Sequence, residues 1–297
     1  MRLGRLSFVT FLGLSLTACS TTTQLEIFSL QVTRSGYQVT SDVAYGPLPE
    51  QRLDIYRPDR TTAKPAPVVL FLHGGTWTDG DKAGYRFLGQ ALTSRGFIAL
   101  IADFRQYPAV KFPIFLADAA KALAYAHNHA AEFGGDPADL FVMGHSSGAH
   151  MAAMVALDGR YLAAEGLSPA ILRGAIGLAG PYDFLPFTED DVKDIFSPAN
   201  ADLGQTQPIN FVGGGAPAFL LLHGADDHTV RVTNTIHLAE RLGRAGAVVE
   251  EHIYPAMEHL GVVLDVAPFL RSRAPVLDDI SHFIAARSER GFPLLSE

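Results

Sequence analysis

Gly144-His145-Ser146-Ser147-Gly148 is the stretch on which the reading of this chain turns. It has the form G-x-S-x-G, a weak signal alone because Gly and Ser are common. Here an apolar run, Leu140–Met143, leads straight into it, and small residues including Ala149, Ala152 and Ala153 follow. That context predicts a strand, a sharp turn and a helix. Side chains at either glycine would clash with neighbouring backbone, and the turn pushes the Ser146 hydroxyl out at the carboxyl end of a sheet. The helix N-terminus beneath it favours negative charge developing nearby. A Gly-rich turn with solvent-exposed serines would explain neither flank.

Working outward, the apolar runs Val68–Leu72, Phe97–Ala102, Ala175–Ala179 and Ala218–Leu222 suit strands buried on both faces. Helical patterns such as Leu116–Phe133 and Thr233–Leu242 lie between strands, with Gly134-Gly135 ending the former as a left-handed cap would. This alternation predicts an α/β fold with a mostly parallel sheet and helices on both faces. Val39–Tyr45 and Arg52–Tyr56 alternate in polarity across Gly46-Pro47-Leu48-Pro49, which predicts an antiparallel hairpin at a sheet edge. Val248–Tyr254 alternates too and reads as an outer strand. Residues 181–216, rich in Pro, Phe and Asp without a strong period, read as a small cap insertion in one domain covering 37–297.

His73-Gly74-Gly75-Thr76-Trp77 follows another buried strand, and glycines there let backbone N–H groups approach an oxyanion. His-Gly-Gly-x-Trp, followed by Gly-x-Ser-x-Gly-Ala-His, resembles the α/β-hydrolase-fold serine esterases near kynurenine formamidase and hormone-sensitive lipase. The resemblance covers about residues 40–287. It implies the α/β-hydrolase fold, Ser146 as nucleophile, and an oxyanion hole made by the N–H groups of Gly75, Thr76 and Ser147. The hormone-sensitive-lipase pattern has a third glycine where this chain has Thr76, which favours the formamidase-like branch.

In this fold the nucleophile is followed in sequence by the acid and then the base. Of the eleven histidines, His259 stands just beyond the last strand, in Tyr254-Pro255-Ala256-Met257-Glu258-His259, where a loop can reach back over Ser146. His252 falls within the strand and His282 in the final helix, so both read as surface or packed residues. His223-Gly224-Ala225-Asp226-Asp227-His228-Thr229-Val230 resembles the family's H-G-x-x-D-x-x-V, which puts the acid on Asp227 rather than Asp226. A carboxylate there accepts the second N–H of His259 and fixes its tautomer. His73 and His223 read as loop braces and His150 as packing beneath the site. Trp77 reads equally as a pocket wall or as loop packing. Phe184 and Phe187, in the insertion, line a substrate pocket or belong to the core. His127 and His129 face apart on a helix, and no metal-ligand spacing such as H-E-x-x-H occurs, so neither metal nor cofactor is expected.

The N-terminus has a basic start at Arg2 and Arg5, an apolar run from Phe8 to Leu16, and then Leu16-Thr17-Ala18-Cys19. This is a secretory signal over residues 1–18, and its end resembles the bacterial lipoprotein box, which implies lipidation of Cys19. A Thr/Ser/Gln-rich tether would follow over residues 19–36. Ser20 fits, by that resemblance, sorting to the outer membrane facing the periplasm, so the expected place is the cell envelope. Cys19 is the only cysteine, so no intrachain disulfide can form. A net charge of −8 gives no electrostatic footprint for nucleic acid.

The expected activity is carboxylic-ester hydrolysis through an acyl-enzyme, with a small-molecule ester or formamide as substrate. An arylformamidase or amide hydrolase would use the same groups, and a catalytically inactive binding module is the rival from another class. A prolyl-oligopeptidase-like peptidase would need room for a gating propeller that this chain lacks. No candidate catalytic residue precedes the first strand, which predicts that hydrolysis survives removal of the residues before about Ser35.

Overall fold

The computed structural model describes residues 21–60, 64–288 and 292–295. Its strands are β1 (Tyr37–Ala44), β2 (Arg52–Pro58), β3 (Ala66–Leu72), β4 (Ile98–Ala102), β5 (Gly135–His145), β6 (Leu172–Leu178), β7 (Ala218–Gly224) and β8 (Val249–Tyr254). They form one sheet in the order β1-β2-β4-β3-β5-β6-β7-β8. β1 and β2 make the antiparallel edge, and β4, β3 and β5 through β8 run parallel. Every residue of β3 and β4 is buried, as continuous apolar runs require. The α/β-hydrolase architecture is thus present.

The helices are α1 (Thr21–Leu30), α2 (Arg86–Ser94), α3 (Ile114–His129), α4 (Ser147–Leu157), α5 (Gly159–Ala164), α6 (Asp190–Ile195), α7 (Thr233–Arg244), α8 (Gly261–Leu264) and α9 (Val276–Arg287). From β3 the chain returns through α2 to β4, towards the antiparallel edge. From β4 it crosses through α3 to β5, in the other direction. Right-handed crossovers of opposite sense put α2 and α3 on opposite faces. The contacts agree: α2 packs with α9, while α3 packs with α4 and α5. Between β6 and β7, where the insertion was expected, lie α6 and short single turns.

Part of the expected tether, residues 21–30, is a helix. Cys19 and the signal segment lie outside the described residues. Residues 21–30 form α1, whose Leu25 and Ser29 are buried, and Val32 beyond it is buried too. Ser29 Oγ donates to the Gly84 carbonyl at 2.7 Å, and Phe28 stacks on Phe269 with ring centroids 5.6 Å apart. Apolar side chains with a docking surface within reach leave water, whatever the polarity of their neighbours.

Candidate active site

β3 and β5 are neighbours, with Leu72 paired to Gly144. Residues 73–77 and 145–147 therefore emerge side by side at the carboxyl end of the sheet. The chain leaves these two strands towards opposite faces, and such a switch point opens a crevice. Ser146 sits at the strand-to-helix turn with φ 54° and ψ −122°. A non-glycine residue there costs roughly 1–3 kcal/mol and persists only when its surroundings hold it. The Ser146 N–H donates to the Leu178 carbonyl at 2.8 Å, and its own carbonyl accepts from Ala149 and His150. A Cβ on Gly148 would overlap the Leu72 carbonyl, and one on Gly144 would overlap the Gly148 carbonyl. Both positions need glycine because strand and helix approach so closely.

Three side chains far apart in sequence meet at this turn. The Ser146 hydroxyl lies 2.9 Å from His259 Nε2, and His259 Nδ1 lies 2.7 Å from Asp227 Oδ2. An Nδ1–H donated to the carboxylate leaves Nε2 free to accept from the hydroxyl. Asp227 is fully tied down. Its Oδ1 accepts from the N–H groups of Thr229 and Val230 at 2.9 and 2.8 Å, and Oδ2 also lies 3.0 Å from His223 Nε2. Burial alone would raise its pKa. The bonds from His223, His259 and the Val230 N–H outweigh that and hold the carboxyl well below the usual carboxylate range. His223 Nδ1 in turn lies 2.7 Å from the Thr235 hydroxyl, so His223 braces the acid's loop. Asp226 is exposed beside the same crevice, and its backbone N–H donates to the Met257 carbonyl.

The loop after β3 is built from consecutive left-handed residues, with φ of 130°, 51° and 59° at Gly75, Thr76 and Trp77. It is held by N–H bonds from Thr78 and Asp79 to the Gly75 carbonyl and by Gly74 N–H donating to the Tyr85 hydroxyl at 3.1 Å. His73 Nδ1, 2.9 Å from the Gly74 carbonyl, braces it from below. Among the described residues, the N–H groups of Gly75, Thr76 and Ser147 meet no protein acceptor. Such fixed, uncommitted donors suit an anion that forms during reaction.

A cleft of about 370 Å³ opens here, bordered by Gly75, Thr76, Ser146 and His259 and also by Leu25 of α1 and Tyr85. Trp77, Phe184 and Phe187 are not among the residues that border it, which favours the packing alternative for each. Trp77 is 4% exposed and sits among rings, 4.9 Å from Phe196, 5.2 Å from His150 and 6.1 Å from Phe184 between centroids. Phe187 lies 5.2 Å from Phe196. Mutual aromatic contact packs these rings together, Trp77 buried and Phe184 and Phe187 half-buried, rather than at the cleft. His150 is buried beneath the site with Nε2 2.9 Å from the Thr206 carbonyl, and burial lowers its pKa to about 4.

Three neighbours were not anticipated. His145 borders the cleft with its ring 5.0 Å from that of His259 and Nε2 3.3 Å from the His259 carbonyl. Burial first, then the neighbouring His259, lowers its pKa to about 3, so it is neutral. Its place beside Ser146 was the available signal. Tyr85 and Leu25 carried no such signal, because neither is adjacent to a motif.

The family model BD-FAE matches residues 53–242. A probable isoprenylcysteine alpha-carbonyl methylesterase, ICMEL1, of Arabidopsis thaliana is 30% identical over 76% of this chain and 52% of its own length. Esterase LipC of Mycobacterium tuberculosis is 33% identical over 67% of this chain and 54% of its own. The chain spans little more than half the length of both. Among solved structures, a truncated carbohydrate esterase from gut microbiota aligns with a TM-score of 0.75 at 20% identity, over 87% of this chain and 99% of that one. Esterase B from Lactobacillus rhamnosis aligns with a TM-score of 0.79 at 19% identity, over 91% and 94%. These last two likenesses establish the shared fold, and the family match spans most of the sheet together with the loop after β3, the serine turn and the acid's loop: the chain belongs to the BD-FAE family.

Proposed function

We propose that this chain is a serine hydrolase that cleaves carboxylic esters through an acyl-enzyme on Ser146. The observation that carries this reading is the continuous path from the Ser146 hydroxyl, through both ring nitrogens of His259, to the buried Asp227 carboxylate. His259 Nε2 takes the hydroxyl proton as Ser146 Oγ attacks the ester carbonyl. The N–H groups of Gly75, Thr76 and Ser147 stabilise the tetrahedral oxyanion. His259 then protonates the departing alkoxide, and a water, deprotonated by His259, releases the acid. Asp227 holds the tautomer and stabilises the imidazolium. The names of the curated relatives, a methylesterase and an esterase, support an ester over an amide. Thr76, in the place of a third glycine, is what favours the formamidase alternative.

A fluorophosphonate probe and a panel of aryl esters, acetylated sugars, feruloyl esters and N-formylkynurenine test this. Expected are one label per chain, on Ser146, and ester turnover above formamide turnover. A chain that neither labels nor turns over any ester is a binding module, and a preference for N-formylkynurenine makes it a formamidase.

The pH profile follows from the charges around His259. Asp227 stays ionised far below neutrality, and His145, lowered to about 3, stays neutral. The base must be neutral to accept the serine proton, and neither neighbour changes charge near neutrality to add a second proton to that requirement. The acid side of log kcat/KM against pH should have a slope of about 1. His145→Gln should leave that slope in place. A slope of 2, or one abolished by His145→Gln, would mean that another group shares the base's role.

We also propose that the mature chain starts at a lipidated Cys19 and is held at the cell envelope. The support is the signal-like segment and the Leu-Thr-Ala-Cys box. Each buried CH₂ of an acyl chain contributes about 0.8 kcal/mol, so two or three chains make release into water negligible. Intact-mass analysis should find acyl mass on Cys19 that is absent from Cys19→Ala. A mature chain that starts elsewhere, or has no acyl mass, would remove the anchor.

A further inference from the structure

One wall of the cleft lies outside the family match, which begins only at residue 53. Leu25 of α1 borders the same cleft as Ser146 and His259 and is nevertheless 4% exposed. The helix is fastened beside two different parts of the site. At one, Ser29 Oγ bonds the Gly84 carbonyl, and Gly84 and Tyr85 themselves border the cleft next to the loop after β3. Tyr85 accepts the Gly74 N–H of that loop. At the other, Phe28 stacks on Phe269, in the segment that follows His259 and α8. The leucine is thus held at the site by contacts of its own helix.

The rest of the lining sets the charge. Asp81, Asp226 and Glu258 border the cleft, and no lysine or arginine does among the described residues. A rim of carboxylates repels an anionic substrate, and it helps to expel the carboxylate product. Leu25 and Tyr85, both buried, back the cleft near the serine with apolar side-chain atoms.

We propose that α1 is a specificity wall: Leu25, with Tyr85, contacts the apolar arm of an uncharged ester and sets the largest group that fits. This deepens the ester-hydrolase reading and rests on it. It also replaces the expectation that hydrolysis is indifferent to the residues before Ser35. A chain that lacks them lacks part of its substrate site.

The test uses the full chain and two ester series, one of aryl esters from acetate to octanoate and one of acetates of lengthening alcohols. Leu25→Ala should raise the kcat/KM ratio of the longest to the shortest member about tenfold in at least one series, and Leu25→Trp should lower it by about as much, since a few methylenes in a pocket discriminate at this level. Leu25→Val removes only one carbon, keeps the protein foldable, and should move the same ratio in the direction of alanine. KM should carry most of each change. Succinate half-esters should be poorer than uncharged esters of equal length. Suppose all folded Leu25 variants label normally with the fluorophosphonate, yet their ratios stay within twofold of wild type in both series: the wall is then overturned. A wild-type chain that hydrolyses neither series and does not label overturns the ester reading itself.

Discussion

Replacing Ser146 by alanine is expected to lower kcat by roughly 10⁴–10⁶, and His259→Ala by a similar factor, because the two act as one unit. The structure gives the reason for the pairing. Their side chains are 2.9 Å apart, and in the proposed mechanism the imidazole takes the hydroxyl proton as Ser146 attacks. Folding should survive both changes. Neither residue belongs to the apolar core, and the Ser146 turn is held by backbone bonds to Leu178, Ala149 and His150 that alanine keeps. A variant with an unchanged melting temperature and lost turnover fits the assignment. Normal turnover by purified Ser146→Ala would place the nucleophile elsewhere.

Two adjacent aspartates should respond very differently. Asp227→Asn should cost about 10⁴ in kcat, and Asp226→Asn less than tenfold. Asp227 accepts four contacts from nitrogen, and a carboxamide in its place can turn an NH₂ towards His259. That reverses the tautomer, so that Nε2 carries the proton and cannot take one from Ser146. The negative charge that stabilises the imidazolium is lost as well. Asp226 faces solvent at the cleft rim, where a single charge acts weakly through water. Steady-state kinetics of the two purified variants decide the matter, and the reverse ranking would move the acid by one residue.

The strands were legible because burial on both faces demands long apolar runs, and β3, β4, β6 and β7 have them. β5 was read from Leu140, but it begins at Gly135. Its polar start pairs with Ala66 of β3, a tertiary contact with no local signature. The meeting of Ser146, Asp227 and His259 was legible through order along the chain, since each stands at the carboxyl end of its own strand. The pocket residues were not legible. Trp77, Phe184 and Phe187 have the chemistry of a substrate wall and of a core alike, and only their packing around Phe196 separates the two. α1 was hidden for a related reason. Its opening Thr21-Thr22-Thr23 is β-branched and favours helix weakly, so the pattern reads as a tether. What makes it ordered is distant in sequence, at Gly84 and Phe269.

Docking of α1 and occupation of the cleft are linked equilibria. A short helix secured, among the described residues, by one hydroxyl bond, one ring stack and a few buried apolar groups opens more readily than the sheet does. A ligand that touches Leu25 binds the docked form better than the open one, and by reciprocity its binding must favour docking to the same extent. Amide hydrogens of residues 25–30 should then exchange more slowly when a non-hydrolysable uncharged ester analogue fills the cleft, while those of β3 and β5 hardly change. The helix becomes a reporter of the site, readable without any chemistry taking place.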